Sequence, residues 1–168
     1  PYVFSASELP GYYPIPQHCE MTFIRRPPAR LFFGAMRPND GAGGETPLCD
    51  FAAVARDLRA DVAERFEARG VRIVRNYDGP GGPVRRDLWK LKRWDEMFRT
   101  TNRDEVDARA REQGFEPVWK DGGRLALVST HAAFRAHPVT GARVWFNHAQ
   151  VFHLSAAPGE YKRIFARA

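Results

Sequence analysis

The chain of 168 residues, of which 43% are hydrophobic and 12% aromatic, is long enough to bury one sizeable core, so a single domain is expected. Its net charge of +6 favours acidic partners, but most of the basic residues are scattered, which argues against nucleic-acid binding. No apolar run approaches the roughly 20 residues of a membrane-spanning helix, so no membrane contact is predicted. Two cysteines are too few for a disulfide scaffold, which favours a cytoplasmic protein.

The first part of the chain is predicted to form strands and loops. Residues 2–33 are rich in aromatic and β-branched residues, and prolines interrupt any helix there. The apolar segment 29–36, with proline near both ends, is typical of a buried strand. The chain begins without methionine and inside an apolar segment, which suggests a fragment of a longer protein.

One long helix is predicted over residues 50–69. Asp50 can cap its amino end, apolar residues recur at helical spacing from Phe51 to Phe66, and Gly70 can end it. The remaining positions are largely charged, which is typical of an amphipathic helix that packs on another layer.

The second half of the chain combines strands with one peripheral helix. That helix is predicted at residues 103–113, and strands are predicted at residues 71–77, 124–129, 132–136 and 142–147. Strands, a long helix and more strands, without regular alternation, indicate a mainly β protein with flanking helices, of the sandwich or jelly-roll type.

The sharpest chemical signal is the segment IPQHCEM at residues 15–21. His18 and Glu20 are two residues apart in a segment expected to be extended, and such residues share a face of a strand. An imidazole and a carboxylate directed at one point are two members of the facial triad that binds Fe(II). Cys19 would point to the opposite face and pack. The competing interpretation is a surface strand with two polar residues.

A second motif, GGETP at residues 43–47, directly precedes the long helix. Two glycines let the backbone approach a ligand closely, and the Thr46 hydroxyl can donate to a carboxylate. Together with the segment from Gly70-Val71 to Arg75-Asn76-Tyr77, HPVTG at residues 137–141 and VWFN at residues 144–147, these motifs resemble the taurine dioxygenase-like (TauD/TfdA) family of Fe(II)/2-oxoglutarate oxygenases. The resemblance covers almost the whole chain and is strongest to the branch similar to clavaminate synthase and the syringomycin-pathway hydroxylase.

The resemblance implies a double-stranded β-helix (jelly-roll) core in which His18 and Glu20 bind iron and Thr46 contacts a carboxylate of 2-oxoglutarate. It also implies Fe(II) as cofactor, with 2-oxoglutarate and O2 as co-substrates and hydroxylation as the usual outcome. The implied substrate is a small amino-acid-like molecule, free or tethered to a carrier protein, in specialised metabolism.

The third iron ligand is the point at which the chain departs from the family pattern. The family's distal histidine, and the arginine that pairs with 2-oxoglutarate, lie in a carboxy-terminal strand pair. Residues 1–168 would therefore be one oxygenase domain that lacks its amino-terminal start and this strand pair. A competing assignment makes His153 the third ligand and Arg163 or Arg167 the carboxylate partner. The remaining histidines are interpreted as structural, namely His131, His137 and His148.

Two alternative functions follow from the same residues. The absent distal motif is compatible with a catalytically incomplete oxygenase fold that serves binding or assembly, and the His18–Glu20 pair alone is compatible with a cupin-like metalloenzyme that does not use 2-oxoglutarate. A cluster of five arginine and lysine residues between positions 85 and 93 surrounds Trp89. It is interpreted either as a solvated loop or as a site for an acidic carrier protein.

Overall fold

The structure, a computed structural model, describes residues 15–37, 40–82, 92–153, 155 and 159. Within them lie helices α1 to α5, strands β1 to β5 and a short 3-10 turn. In chain order the elements are α1 (Phe51–Asp57), α2 (Ala60–Arg69), β1 (Val71–Tyr77), α3 (Trp94–Phe98), α4 (Arg103–Glu112), β2 (Glu116–Lys120), the 3-10 turn (Asp121–Gly123), β3 (Arg124–His131), β4 (Phe134–Ala136), β5 (Arg143–Trp145) and α5 (Ala149–Phe152). The described part of the chain thus mixes helices with small antiparallel sheets. The jelly-roll core stays a prediction.

The described residues separate into two compact units. The sheet unit comprises Ile15 and the described residues of Arg72–Ser129, and the site unit combines the described residues of Pro16–Val71 with those from Thr130 onward. No helix in the described ranges is both long and apolar enough to cross a lipid bilayer.

The core of the sheet unit is built around β3. The strands lie in the order β1-β3-β2, and β2 pairs antiparallel with β3, so that Trp119 lies opposite Leu125. Strand β3 is covered on both faces, because Leu125 and Leu127 on one face and Ala126 and Val128 on the other are at most 5% exposed. Helix α4 packs on β2, and the indole of Trp119 donates to Asp107 of that helix over 2.9 Å.

The site unit is built around the β4–β5 hairpin and the two helices α1 and α2. Strands β4 and β5 pair antiparallel with Phe134 opposite Trp145, and α1 packs against β5. The indole of Trp145 meets the rings of Phe66 and Phe134 edge to face, with centroids 4.8 and 5.2 Å away. These contacts join helix α2 to the hairpin.

The single helix predicted over residues 50–69 is wrong in one respect, because the chain forms two helices there. Leu58 and Arg59 have ψ values of 136° and 137°, which are extended rather than helical. The predicted cap at the start is confirmed, since the Asp50 carboxylate accepts from the Ala52 amide over 2.8 Å. The sequence has neither glycine nor proline at the break, and the apolar spacing continues through Leu58. The sequence therefore predicts one helix where the chain forms two.

Gly70 ends α2 for two separate reasons. Its φ of 66° lies in the left-handed region, and a Cβ at this position would lie 2.7 Å from the carbonyl oxygen of His131. Residues with a side chain are disfavoured by both features, which explains why the helix ends at a glycine.

The prediction of a buried strand over residues 29–36 is wrong. The described residues of this segment have no regular secondary structure, and Phe32 and Phe33 are 89% and 69% exposed. Apolar composition indicates a segment that is stable when covered by a second layer, and the part of the chain that the structure describes supplies no such cover.

Tyr77 at the end of β1 gives a first testable prediction. Its side chain is 5% exposed, and its hydroxyl has no hydrogen-bond partner in the described ranges. Removing a buried, unpaired hydroxyl relieves a desolvation cost, so Tyr77→Phe is expected to leave the free energy of unfolding unchanged or raise it by about 1 kcal/mol. Urea denaturation at pH 7 measures this change.

The same residue predicts a difference at alkaline pH. Burial raises the pKa of the Tyr77 phenol above its usual value, an effect that the nearby Arg75 partly offsets. The unfolded chain then loses this proton at lower pH than the folded chain, so stability falls as pH rises above about 10. Tyr77→Phe should therefore lose less stability than the parent between about pH 9 and 11, the range around the usual pKa of tyrosine. Identical pH profiles would contradict the prediction.

Candidate metal site

The His18–Glu20 pair lies where an irregular segment enters a tight turn. Residues 15–19 have no regular secondary structure, and residues 20–23 form a turn in which the Ile24 amide donates to the Met21 carbonyl over 3.2 Å. Met21 has a φ of 49°, in the left-handed region. The prediction of an extended segment is therefore wrong from Glu20 onward.

The turn nevertheless brings the two predicted ligands together. His18 Nε2 lies 3.8 Å from Glu20 Oε2, and the two side chains are 30% and 42% exposed. This separation is too long for a hydrogen bond. Metal bonds of about 2.0–2.2 Å to each atom would allow one ion to contact both.

The hydrogen bond on the other ring nitrogen of His18 determines its tautomer. His18 Nδ1 lies 2.8 Å from the carbonyl oxygen of Pro16, and because a carbonyl only accepts, Nδ1 carries the hydrogen. In the neutral ring the lone pair then lies on Nε2, which is the atom that faces Glu20. A neutral imidazole nitrogen beside a carboxylate oxygen fits the donor set of Fe(II).

Two segments distant in sequence meet at this site. We call residues 17–23 the ligand segment and residues 145–150 the anchor segment. The side-chain amide of Gln150 donates to the main-chain carbonyl of Gln17 over 3.2 Å. The residue before His18 is therefore tied to the anchor segment.

Cys19, between the two predicted ligands, makes the second tie. Its thiol donates to the carbonyl oxygen of Trp145 over 3.6 Å. Burial raises the pKa of the Cys19 thiol to about 11, with a smaller contribution from Cys49. The interpretation of Cys19 as a packing residue agrees with this protonated, partly buried thiol.

His148 also lies at this site, a location that its interpretation as a structural histidine did not predict. Its ring is 4% exposed, and its centroid lies 5.4 Å from that of His18. The sequence interpretation placed it among structural histidines, which agrees with its hydrogen bond to Thr22. Its position directly after VWFN was the available signal, but nothing local in the sequence connects residue 148 with residue 18.

Thr46 lies in the irregular segment that leads to α1 and is exposed. The glycines before it, Gly43 and Gly44, have φ values of 96° and 85°, so they adopt backbone conformations that other residues rarely reach. Among the described residues, no hydrogen bond joins the Thr46 hydroxyl to His18 or Glu20. Its assignment to 2-oxoglutarate stays a prediction.

His153 is exposed, and its Nδ1 lies 2.6 Å from the hydroxyl oxygen of Ser155. In the ranges that the structure describes, no three histidine, cysteine, aspartate or glutamate side chains are grouped closely enough to hold a metal ion. The structure therefore brings His18 and Glu20 together but does not bring His153 to them. Arg163 and Arg167 lie outside the described residues.

Comparisons with known proteins place this chain in a family. The sequence model of the taurine catabolism dioxygenase TauD, TfdA family matches residues 4–166. The dapdiamide synthesis protein DdaC of Enterobacter agglomerans is 28% identical over 153 residues, which cover 91% of this chain and 44% of that protein. A clavaminate synthase-like protein of Arabidopsis thaliana is 31% identical over 153 residues, 86% of this chain and 44% of that protein.

The family match extends over nearly the whole chain, whereas the chain spans less than half the length of these two relatives. The motifs that carried the resemblance, including the segment with His18 and Glu20, lie inside the matched residues. The chain belongs to the TauD/TfdA family of dioxygenases.

Proposed function

We propose that the protein is an Fe(II)/2-oxoglutarate-dependent dioxygenase that hydroxylates, or otherwise oxidises, a small amino-acid-like substrate. The observation that carries this proposal is the His18–Glu20 pair, whose Nε2 and Oε2 atoms lie 3.8 Å apart in a chain of a dioxygenase family. The pair supplies two of the three protein ligands that a facial triad needs.

The roles of the residues follow from their chemistry. His18 and Glu20 would hold the metal, and their exposed fractions leave one side of the pair open to a co-substrate. The Thr46 hydroxyl would donate to a carboxylate of 2-oxoglutarate. When bound, iron with 2-oxoglutarate supplies oxygen activation for the oxidation of a C–H bond, and the protein fixes the orientation of the reacting groups.

The third ligand is proposed to be a histidine. Within this chain His153 is the first candidate, because arginines follow it at positions 163 and 167, as an arginine follows the distal histidine of the family. Its Nδ1 accepts from the Ser155 amide, which places the ring hydrogen on Nε2, so binding of a metal through Nε2 would require the other tautomer. The other candidate is a histidine in polypeptide outside residues 1–168, because the matched region covers only 44% of each of the two relatives. In the second case residues 1–168 belong to an oxygenase domain that is completed by further polypeptide.

The substrate class is proposed from similarity to a protein of dapdiamide synthesis, whose name points to specialised metabolism. The substrate would be free or tethered to an acidic carrier protein.

Most of the basic cluster lies outside the described residues, including Arg85 and Arg86. Charge reversal at these two positions should lower turnover of a carrier-tethered substrate and spare turnover of the free one. Equal turnover of the tethered substrate would exclude this surface.

Anaerobic titration with Fe(II) and 2-oxoglutarate tests the proposed function. We expect a weak visible charge-transfer band from 2-oxoglutarate bound to iron, and no band when His18 is replaced by alanine. When oxygen and substrate are then added, succinate should form from 2-oxoglutarate in step with substrate oxidation. If no band forms and no succinate is released, either residues 1–168 lack a distal ligand that further polypeptide supplies, or this member of the family has lost the chemistry.

Two alternatives remain as outcomes of the same experiment. An incomplete oxygenase fold with a binding or assembly role is favoured because no three metal-ligating side chains of the described residues are arranged to hold an ion. It predicts no band even at high Fe(II). A cupin-like metalloenzyme would bind metal through the same pair but oxidise its substrate without releasing succinate.

A further inference from the structure

A buried polar pair lies directly beside the proposed metal ligand His18. Thr22 and His148 are each 4% exposed, and the Thr22 Oγ1 atom lies 2.5 Å from His148 Nδ1. The two residues are 126 positions apart in sequence, so the bond joins the ligand segment to the anchor segment. Loss of one partner would leave a buried polar group without this bond, which is costly.

The ring of His148 contacts two rings of the ligand segment. Its centroid lies 5.4 Å from that of His18 at an interplanar angle of 41°, and 5.5 Å from that of Phe23 at 47°. Both separations are within the range of packed aromatic rings. The ring of His148 therefore restricts the rotamers that the His18 side chain can adopt.

The anchor segment is itself held in place. Asn147 is fully buried, and its side-chain amide donates to the carbonyl of Ala133 over 2.9 Å while its oxygen accepts from the Ala149 amide over 2.9 Å. His148 thus lies between Asn147 and Ala149, and the hydrogen bonds of the Asn147 side chain hold the main chain on both sides of it. A ring mounted on a fixed backbone can orient its neighbour.

We propose that His148 is a positioning residue for His18. Held by Thr22, its ring keeps the His18 ring in the orientation that directs Nε2 toward Glu20. This inference rests on the proposed function, since it assigns His148 to the support of a metal ligand. Contacts that orient a metal ligand commonly contribute about 10–100-fold to metal affinity.

A matched pair of variants at Thr22 separates the hydrogen bond from side-chain size. Thr22→Val keeps the shape of the side chain and removes the hydroxyl, whereas Thr22→Ser keeps the hydroxyl. A second test, His148→Asn, removes the ring but retains a polar group for Thr22. His137→Asn is the control, because His137 is an exposed histidine of the same unit whose ring accepts from the amides of its own turn.

The first readout is Co(II) affinity, followed by the visible absorption of the bound ion. Thr22→Val and His148→Asn should bind Co(II) about 10–100-fold more weakly than the parent. Thr22→Ser keeps the hydroxyl that holds His148, and His137→Asn leaves that contact intact. Both variants should therefore bind Co(II) within about twofold of the parent. Parent-like affinity in both Thr22→Val and His148→Asn would overturn the proposal. Thermal unfolding of each metal-free variant identifies any that fails to fold.

The second readout needs no metal and keeps failure of this inference distinct from failure of the proposed function. Long-range proton–nitrogen NMR of the His18 ring should show one tautomer, with hydrogen on Nδ1, in the parent and Thr22→Ser. Thr22→Val should show a mixture of tautomers. If the parent binds no Co(II), residues 1–168 do not complete a metal site by themselves, while this readout still decides the positioning role. Unchanged His18 signals in Thr22→Val would then overturn that role.

Discussion

Replacing His18 with alanine is expected to lower the affinity of the protein for Fe(II) by at least about 100-fold, because the loss of a direct ligand should exceed the loss of a contact that only orients one. The Nε2 atom removed by this change faces Glu20 Oε2 at 3.8 Å. Glu20→Gln keeps the size of the side chain and removes its charge, so it should weaken binding to a similar extent. Anaerobic competition with a chromogenic Fe(II) chelator measures both affinities.

The histidines of the chain provide matched controls for this prediction. His137→Ala removes an exposed ring that accepts hydrogen bonds within its own turn, so it should not change Fe(II) affinity. His153→Ala decides between the two proposals for the third ligand. A loss comparable to that of His18→Ala assigns His153 as the ligand, and unchanged affinity assigns the ligand to other polypeptide. Parent-like affinity in His18→Ala itself would remove this residue from the metal site.

The closeness of His18 and Glu20 could be predicted from the sequence because their motif is local. His18 and Glu20 are two residues apart, so an extended segment would direct their side chains to one face, and the turn that replaces it also keeps them close. Thr22 and His148 could not be predicted to pair, since their contact spans 126 positions and depends on how the hairpin packs. Local spacing therefore identifies proposed ligands but not the residues that support them.

The elements of the fold were predictable to different degrees for the same reason. Helix α4 and strand β1 lie close to their predicted positions, since caps, glycines and periodicity are local signals. Strand β2, with its proline at position 117, and the short helix α3 carry weak local signals and were not predicted. The exposure of residues 29–36 depends on which other layer covers them, and the chain matches less than half the length of its two relatives.

Replacing Trp145 with alanine is expected to lower the free energy of unfolding of the site unit by about 3–5 kcal/mol, the usual loss for a buried tryptophan. The side chain is 6% exposed and meets Phe66 and Phe134 edge to face, so its removal leaves a cavity between α2 and the β4–β5 hairpin. Trp145→Phe retains one ring in that space and should cost less. Urea denaturation followed by near-ultraviolet circular dichroism measures both changes.

An exposed aromatic residue of the same unit completes the comparison. Phe33 is 69% exposed, so Phe33→Ala should change stability by no more than about 0.5 kcal/mol. A small effect at Phe33 with a large one at Trp145 means that packing of the hairpin against α2 stabilises the site unit. Equal losses at the two positions would contradict this prediction, because they would mean that a further layer of polypeptide covers residues 29–36 in solution. The long apolar run in that segment would then be explained by burial after all.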